Sequence, residues 1–124
     1  MATLNSIVEC EGWQEARKLT AAVYRATAAT SFDRDMALRD QMRRAAVSIM
    51  ANLAEGFGCG RQVQFIRYAR IALGSSWELL SHVYVAHDVG YLLDTNREEL
   101  LARLGTVIRL INGLIRYLRH HPEP

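Results

Sequence analysis

Proline is almost missing from this chain, since Pro122 and Pro124, the two that occur, both fall in the last three residues. No helix elsewhere meets a residue that lacks a backbone donor and clashes with the preceding turn. Cysteine is scarce too. Cys10 and Cys59 are too few for a disulfide framework and read as free thiols of a cytoplasmic protein. Lysine occurs once, at Lys18, while fourteen of the fifteen basic residues are arginine. Phosphate recognition favours arginine, and biased codon usage produces the same excess. Apolar runs stay well short of the roughly 20 residues that cross a bilayer. The start of the chain shows no charged-then-apolar signal pattern, so neither a membrane nor export is expected. The formal charge of +2 is too small to indicate nucleic acid by itself.

Familiar chemical motifs are lacking as well. His82 and His87 are five residues apart and fall on different helix faces, and neither His-Glu-x-x-His nor Cys-x-x-Cys occurs, so no metal is expected. The glycines around Gly58 are not followed by Gly-Lys-Ser/Thr, which excludes the usual phosphate-cradling loop. No serine has a histidine and a carboxylate arranged recognisably around it. Catalytic residues, cofactor ligands and enzymatic activity are therefore not expected.

What is present is helical periodicity. Half of the 124 residues are hydrophobic and 23% are charged, which suits one folded domain over residues 1–124. Apolar positions recur every three or four residues over four stretches, roughly 9–28, 37–57, 62–89 and 96–119. The first places Trp13, Ala16, Leu19, Thr20, Val23 and Ala26 on one face. The third does so with Phe65, Ala69, Ala72, Leu73, Ser76, Leu80 and Val83. The fourth does so with Leu100, Leu104, Val107, Ile111, Leu114 and Leu118. Asp33 or Asp35 is available to cap the second helix, Gly56 to Gly60 ends it, and Thr95 to Glu98 fits a capping box for the fourth. Short connections favour antiparallel neighbours, so an all-α, up-down-up-down four-helix bundle follows.

The second helix is unusual. Leu38, Met42, Ala45, Ile49 and Leu53 form its core strip, and Gln41, Arg44, Ser48, Asn52 and Glu55 run beside it. Its far side carries Val47, Met50, Ala51 and Ala54, with Arg43 the one clearly polar residue there. A helix apolar on two sides is expected to be buried on two sides, so these four residues are candidates for an oligomer interface. A symmetrical hairpin about Cys59 sets Arg44 opposite Ser75 and one turn from Glu78. An Arg44–Glu78 ion pair is then expected, with Ser48, Asn52 and Glu55 completing a polar network. Gly74 and Ser75 would let the helices approach closely. Such a network either specifies register or forms a pocket; one carboxylate per helix beside arginine favours the structural role.

The run Gln41-Met-Arg-Arg-Ala-Ala-Val-Ser-Ile-Met-Ala-Asn-Leu-Ala-Glu-Gly-Phe-Gly resembles the signature of the small bacterial four-helix-bundle proteins of the ribosomal-RNA intervening-sequence family, also called S23-like. Trp13 to Leu19 with Tyr24, and Phe65 to Leu79 with Gly74, Ser75 and Glu78, resemble the family's first and third helices. Met50 stands where a proline is frequent, Arg39 where a capping threonine is common, and Cys59 where a basic residue often follows. The resemblance implies a homo-oligomeric ring, a pentamer. It also implies relatedness to the accessory protein of diversity-generating retroelements, which binds nucleic acid and a reverse transcriptase.

Two arginine groups are candidates for contact with a phosphate backbone. Arg109 and Arg116 lie seven apart on the outer face of the fourth helix, with Arg119 on its flank and Gly105, Asn112 and Gly113 nearby. Arg61, Arg67 and Arg70 form a second cluster at the start of the third. A solvated face or subunit packing explains the same residues. The resulting expectation is a non-enzymatic oligomeric adaptor whose partners are further copies of itself and RNA or DNA. The alternative is a protein–protein scaffold with no nucleic-acid role. Salt dependence of binding separates the two.

Overall fold

A computed structural model describes residues 4–121. It contains four long helices, α1 (Glu11–Thr27), α2 (Met36–Gly58), α3 (Gln62–Asp88) and α4 (Asp94–His120). Single 3-10 turns, Ile7–Glu9 and Thr30–Arg34, precede α1 and α2. No strand occurs among the described residues, and none of these helices is long and apolar enough to cross a membrane. At 27 residues each, α3 and α4 are roughly 40 Å long at 1.5 Å per residue.

The boundaries have identifiable causes. Asp35 caps α2 by accepting from the Leu38 backbone N–H at 3.1 Å, which satisfies one of the helix's unpaired donors. After α2, Gly60 takes a positive φ of 72°. After α3, Gly90 does the same at 85°, and the Tyr91 and Gly90 amides donate back to Ala86 and His87 carbonyls at 2.8 and 3.0 Å. That pairing is the glycine-dependent Schellman end. The expected capping box does not form. Helix α4 starts at Asp94, so Thr95 lies within its first turn, and Leu93 occupies the cap position without a side-chain bond. Asp94 is fixed by His87 Nε2 at 2.6 Å, and a carboxylate suits the positive end of the helix dipole.

The helices form a four-helix bundle in which α1 packs on α2 and α4, and α3 packs on α2 and α4. All four helices, with Phe32 from the second 3-10 turn, contribute to one apolar core that includes Leu19, Met42, Ile49, Leu79 and Ile111. Truncating a buried leucine of this kind to alanine costs about 2–5 kcal/mol. On α3 the buried stripe is rotated from the expected one. Leu79 is fully buried, while Leu73 and Leu80 are half-buried at its edge. On α1, Ala22 and Thr27 are buried and Trp13 is half-buried.

Helices α2 and α3 meet through small residues. A Cβ on Gly56 would lie 2.7 Å from the Tyr68 Cβ and 3.3 Å from the Phe65 Cα, so only hydrogen fits there. Gly56 therefore serves close helix packing, not the ending of α2. Gly74, expected to allow the close approach, instead faces open space with nothing within 4 Å of its ideal Cβ. Ser75 does face α2, and its Oγ lies 2.9 Å from Ser48 Oγ.

Candidate nucleic-acid interface

Charge is distributed unevenly along the α3–α4 pair. Residues 61–77 and 100–121 contain seven arginines, at 61, 67, 70, 103, 109, 116 and 119, and no carboxylate. Residues 78–99 contain five carboxylates, Glu78, Asp88, Asp94, Glu98 and Glu99, against Arg97. Contacts bring the like-charged stretches together. At one end the Gln62 side-chain amide donates to the Leu118 and His121 carbonyls, which joins the first turn of α3 to the last of α4. At the other end His87 on α3 holds Asp94 on α4. The pair thus has a basic half and an acidic half.

In the basic half, Arg67, Arg70, Arg109, Arg116 and Arg119 are all exposed. Among the described residues none of the five has a carboxylate at ion-pair distance. Arg61 occupies the cap position of α3. Arg109 folds back along α4, where Nη2 donates to Thr106 Oγ1 at 3.3 Å and Nη1 lies 3.6 Å from the ideal Cβ position on Gly105. Arg116 lies in the same way over Gly113, at 3.9 Å. The glycines of α4 therefore seat arginine side chains along the helix. Arg103, by contrast, points toward α1 beside Glu15 and Thr106, and its Nε is buried without a protein partner.

The acidic half contains a polar clasp. His87 Nε2 reaches Asp94 Oδ1 at 2.6 Å, and Arg97 Nη1 lies 3.4 Å from His87 Nδ1. The hydrogen bond from His87, then the charges of His87 and Arg97, hold the Asp94 carboxyl below its ordinary value. Asp94 is exposed while His87 and Arg97 are half-buried, and their mutual contacts suit a helix-end fastening more than a reactive centre.

The expected polar network forms only at its centre. Ser48 and Ser75 pair across the helices, and Asn52 Nδ2 donates to Ser48 Oγ at 3.0 Å and to the Ser48 carbonyl at 2.8 Å. The Arg44–Glu78 ion pair is absent. Ser48, not Arg44, stands opposite Ser75, a displacement of one helical turn from the symmetrical hairpin. Arg44 projects into solvent. Glu78, with its side chain 58% exposed, instead lies 3.4 Å from His82 on its own helix. Glu55 is exposed at the end of α2 and stays outside the network.

The four candidate interface residues on α2 do not share one free surface. Met50 is turned toward α1, where its Sδ lies 3.4 Å from Thr20 Oγ1, and Ala54 is half-buried. Val47 and Ala51 are exposed. Apolar burial against α1 thus accounts for part of the second apolar side of α2.

The outer side of α3, where Arg67, Ile71, Gly74, Glu78, His82 and Val85 form a mixed stripe in the sequence, also exposes Val63 and Trp77, which the periodicity does not single out. Val63, Ile71 and Trp77 are 75%, 44% and 54% exposed. Among the described residues no three His, Cys, Asp or Glu side chains converge on a metal site. Cys10 is buried and Cys59 exposed, both as free thiols.

Comparison with known proteins adds the following. The family described as 23S rRNA-intervening sequence protein matches the chain over residues 8–113. A solved structure, a protein with unknown function from the S23 ribosomal protein family of Bacteroides thetaiotaomicron, superposes with a TM-score of 0.78. The superposition covers 85% of this chain and 95% of that one at 16% sequence identity, so it speaks to the fold alone. No curated protein matches.

Proposed function

The chain belongs to the 23S rRNA-intervening sequence protein family, and from that premise we propose that it is a non-enzymatic adaptor that contacts structured RNA, or an RNA–protein assembly, through the basic half of α3 and α4. The carrying observation is the segregation of charge. Seven arginines and no carboxylate occupy residues 61–77 and 100–121, and Gln62 ties the two stretches together. Phosphate neutralisation by the exposed members, Arg67, Arg70, Arg109, Arg116 and Arg119, releases counterions, so it favours association with any nucleic acid before sequence is considered. No base-reading motif accompanies it, so recognition is mainly electrostatic and shape-based.

The reading includes an antiparallel up-down-up-down order, supported by the contacts of Gln62 with the end of α4 and of His87 with its start. It also includes a ring-shaped homo-oligomer, a pentamer, which would multiply the arginine surface by avidity. Exposed Val47 and Ala51 support an intersubunit contact on α2. The free thiols fit a reducing cytoplasm.

Titrating the purified protein with a labelled structured RNA and a labelled duplex DNA across a salt series tests the proposal. Affinity is expected to fall steeply with salt. The double substitution Arg109→Ala/Arg116→Ala is expected to reduce the log–log salt slope by about 2. Absence of binding at low salt would remove the nucleic-acid role and leave a protein–protein scaffold.

A further inference from the structure

The outer side of α3 carries more than charge. Val63, Arg67, Arg70, Ile71, Gly74 and Trp77 follow one another at intervals of one to four residues. They span about 21 Å of helix at 1.5 Å per residue. Single exposed apolar residues are ordinary, but three interleaved with two arginines that lack a carboxylate partner form a continuous strip. Val63, Ile66 and Ile71 with Arg67 and Arg70 line one shallow depression on it. Gly74, between Ile71 and Trp77, supplies the second observation. A glycine inside an exposed helix is unfavourable relative to alanine, and no side chain of this chain uses the space it leaves open. The opening therefore leaves the helix backbone accessible to something outside the chain.

Resting on the nucleic-acid reading above, we propose that this strip takes unpaired nucleotides, with Trp77 as a base-stacking platform and Arg67 and Arg70 on the flanking phosphates. A duplex keeps its base faces stacked inside and offers a helix phosphates, sugars and groove edges, so the Trp77 ring has no base face to stack on. An unstacked strand offers base faces and phosphates in alternation, which is the alternation of the strip. Arginine with aromatic stacking is the general means of holding a single strand without reading its sequence. Gly74 leaves room for a base to lie beside the Trp77 ring. The ligand is thus a single-stranded segment, such as a loop or end of a folded RNA. Glu78, the next residue after Trp77, lies on the same side with its side chain 58% exposed and 3.4 Å from His82, so it bounds the strip toward the acidic half.

The test compares a fluorescein-labelled single-stranded 20-mer with a duplex of the same length at one salt concentration. Tighter binding of the single strand is expected. Trp77→Ala should weaken it roughly ten-fold, within the range for loss of one base–aromatic stack, and leave duplex affinity unchanged. Gly74→Leu should weaken single-strand binding while preserving the helical circular dichroism, because its side chain meets open space. In a Trp13→Phe background Trp77 is the sole tryptophan, and its fluorescence should quench as the single strand binds. Equal affinities that ignore Trp77→Ala, together with losses in Arg109→Ala/Arg116→Ala, would overturn the stacking proposal and keep the electrostatic one. No binding of either probe at low salt would overturn both. Unchanged nucleic-acid affinity with a lowered sedimentation mass for Trp77→Ala would reassign the strip to protein contact and overturn the proposal.

Discussion

Helix α3 meets a glycine of α2 on one side and carries its own glycine on the other, and the two differ in what they do. Toward α2, Gly56 lies against Tyr68 and Phe65, and a methyl group there would approach to 2.7 Å. Away from the bundle, Gly74 has nothing within 4 Å of its ideal Cβ. The first glycine is explained by the chain's own packing. The second is not, and it lies among Arg70, Ile71 and Trp77, where an external ligand would explain it. A small residue thus reports internal crowding on one side of a helix and reserved space on the other, and only the three-dimensional packing distinguishes the two.

Three substitutions break or sharpen that contrast. Gly56→Ala should have the largest effect, a loss of about 1–3 kcal/mol in urea unfolding, because the neighbouring atoms include backbone that cannot give way. A neutral result would mean that α2 and α3 are not in close contact at that point. Next comes Ser75→Ala, which removes the Ser48 hydroxyl's partner across the interface. It should cost about 1 kcal/mol, the net value of one such hydrogen bond, with Asn52 still donating to Ser48 Oγ. A change well above that would give the serine pair a wider role in register. Gly74→Ala should be the smallest and of opposite sign, a gain of about 0.5–1 kcal/mol from helix propensity. Destabilisation there would show that the space is used within the protein or by a neighbouring subunit.

The four helices were legible because their apolar residues repeat at helical spacing; Asp33 and Asp35 both stood before the second apolar run as possible caps, and Asp35 is the one that takes the role. The family could be read from the stretch around Asn52 and Gly56. The facing of residues across two helices was harder. Ser75 was correctly assigned to the α2 side, but its partner was displaced by one turn, from Arg44 to Ser48. A hydrophobic period fixes which face is buried but not how far one helix slides along another, and one turn brings a similar face back into view. The same ambiguity carried Arg44 and Glu78 into an ion pair that the structure lacks. Glu78 already has His82 four residues along its own helix, a local pairing that the sequence contained. Charge segregation along α3 and α4 needed both ends of the pair to be identified. That information lies in Gln62, whose amide gives no hint of its partner 56 residues away.

The position of Gln62 bears on how the molecule opens. The final carbonyls of a helix have no partner within it and usually fray, yet the Leu118 and His121 carbonyls are held by the first turn of another helix. Opening α4 from its end therefore requires the start of α3 to release it. In amide hydrogen exchange, the last turn of α4 should behave as part of one cooperative unit with the start of α3.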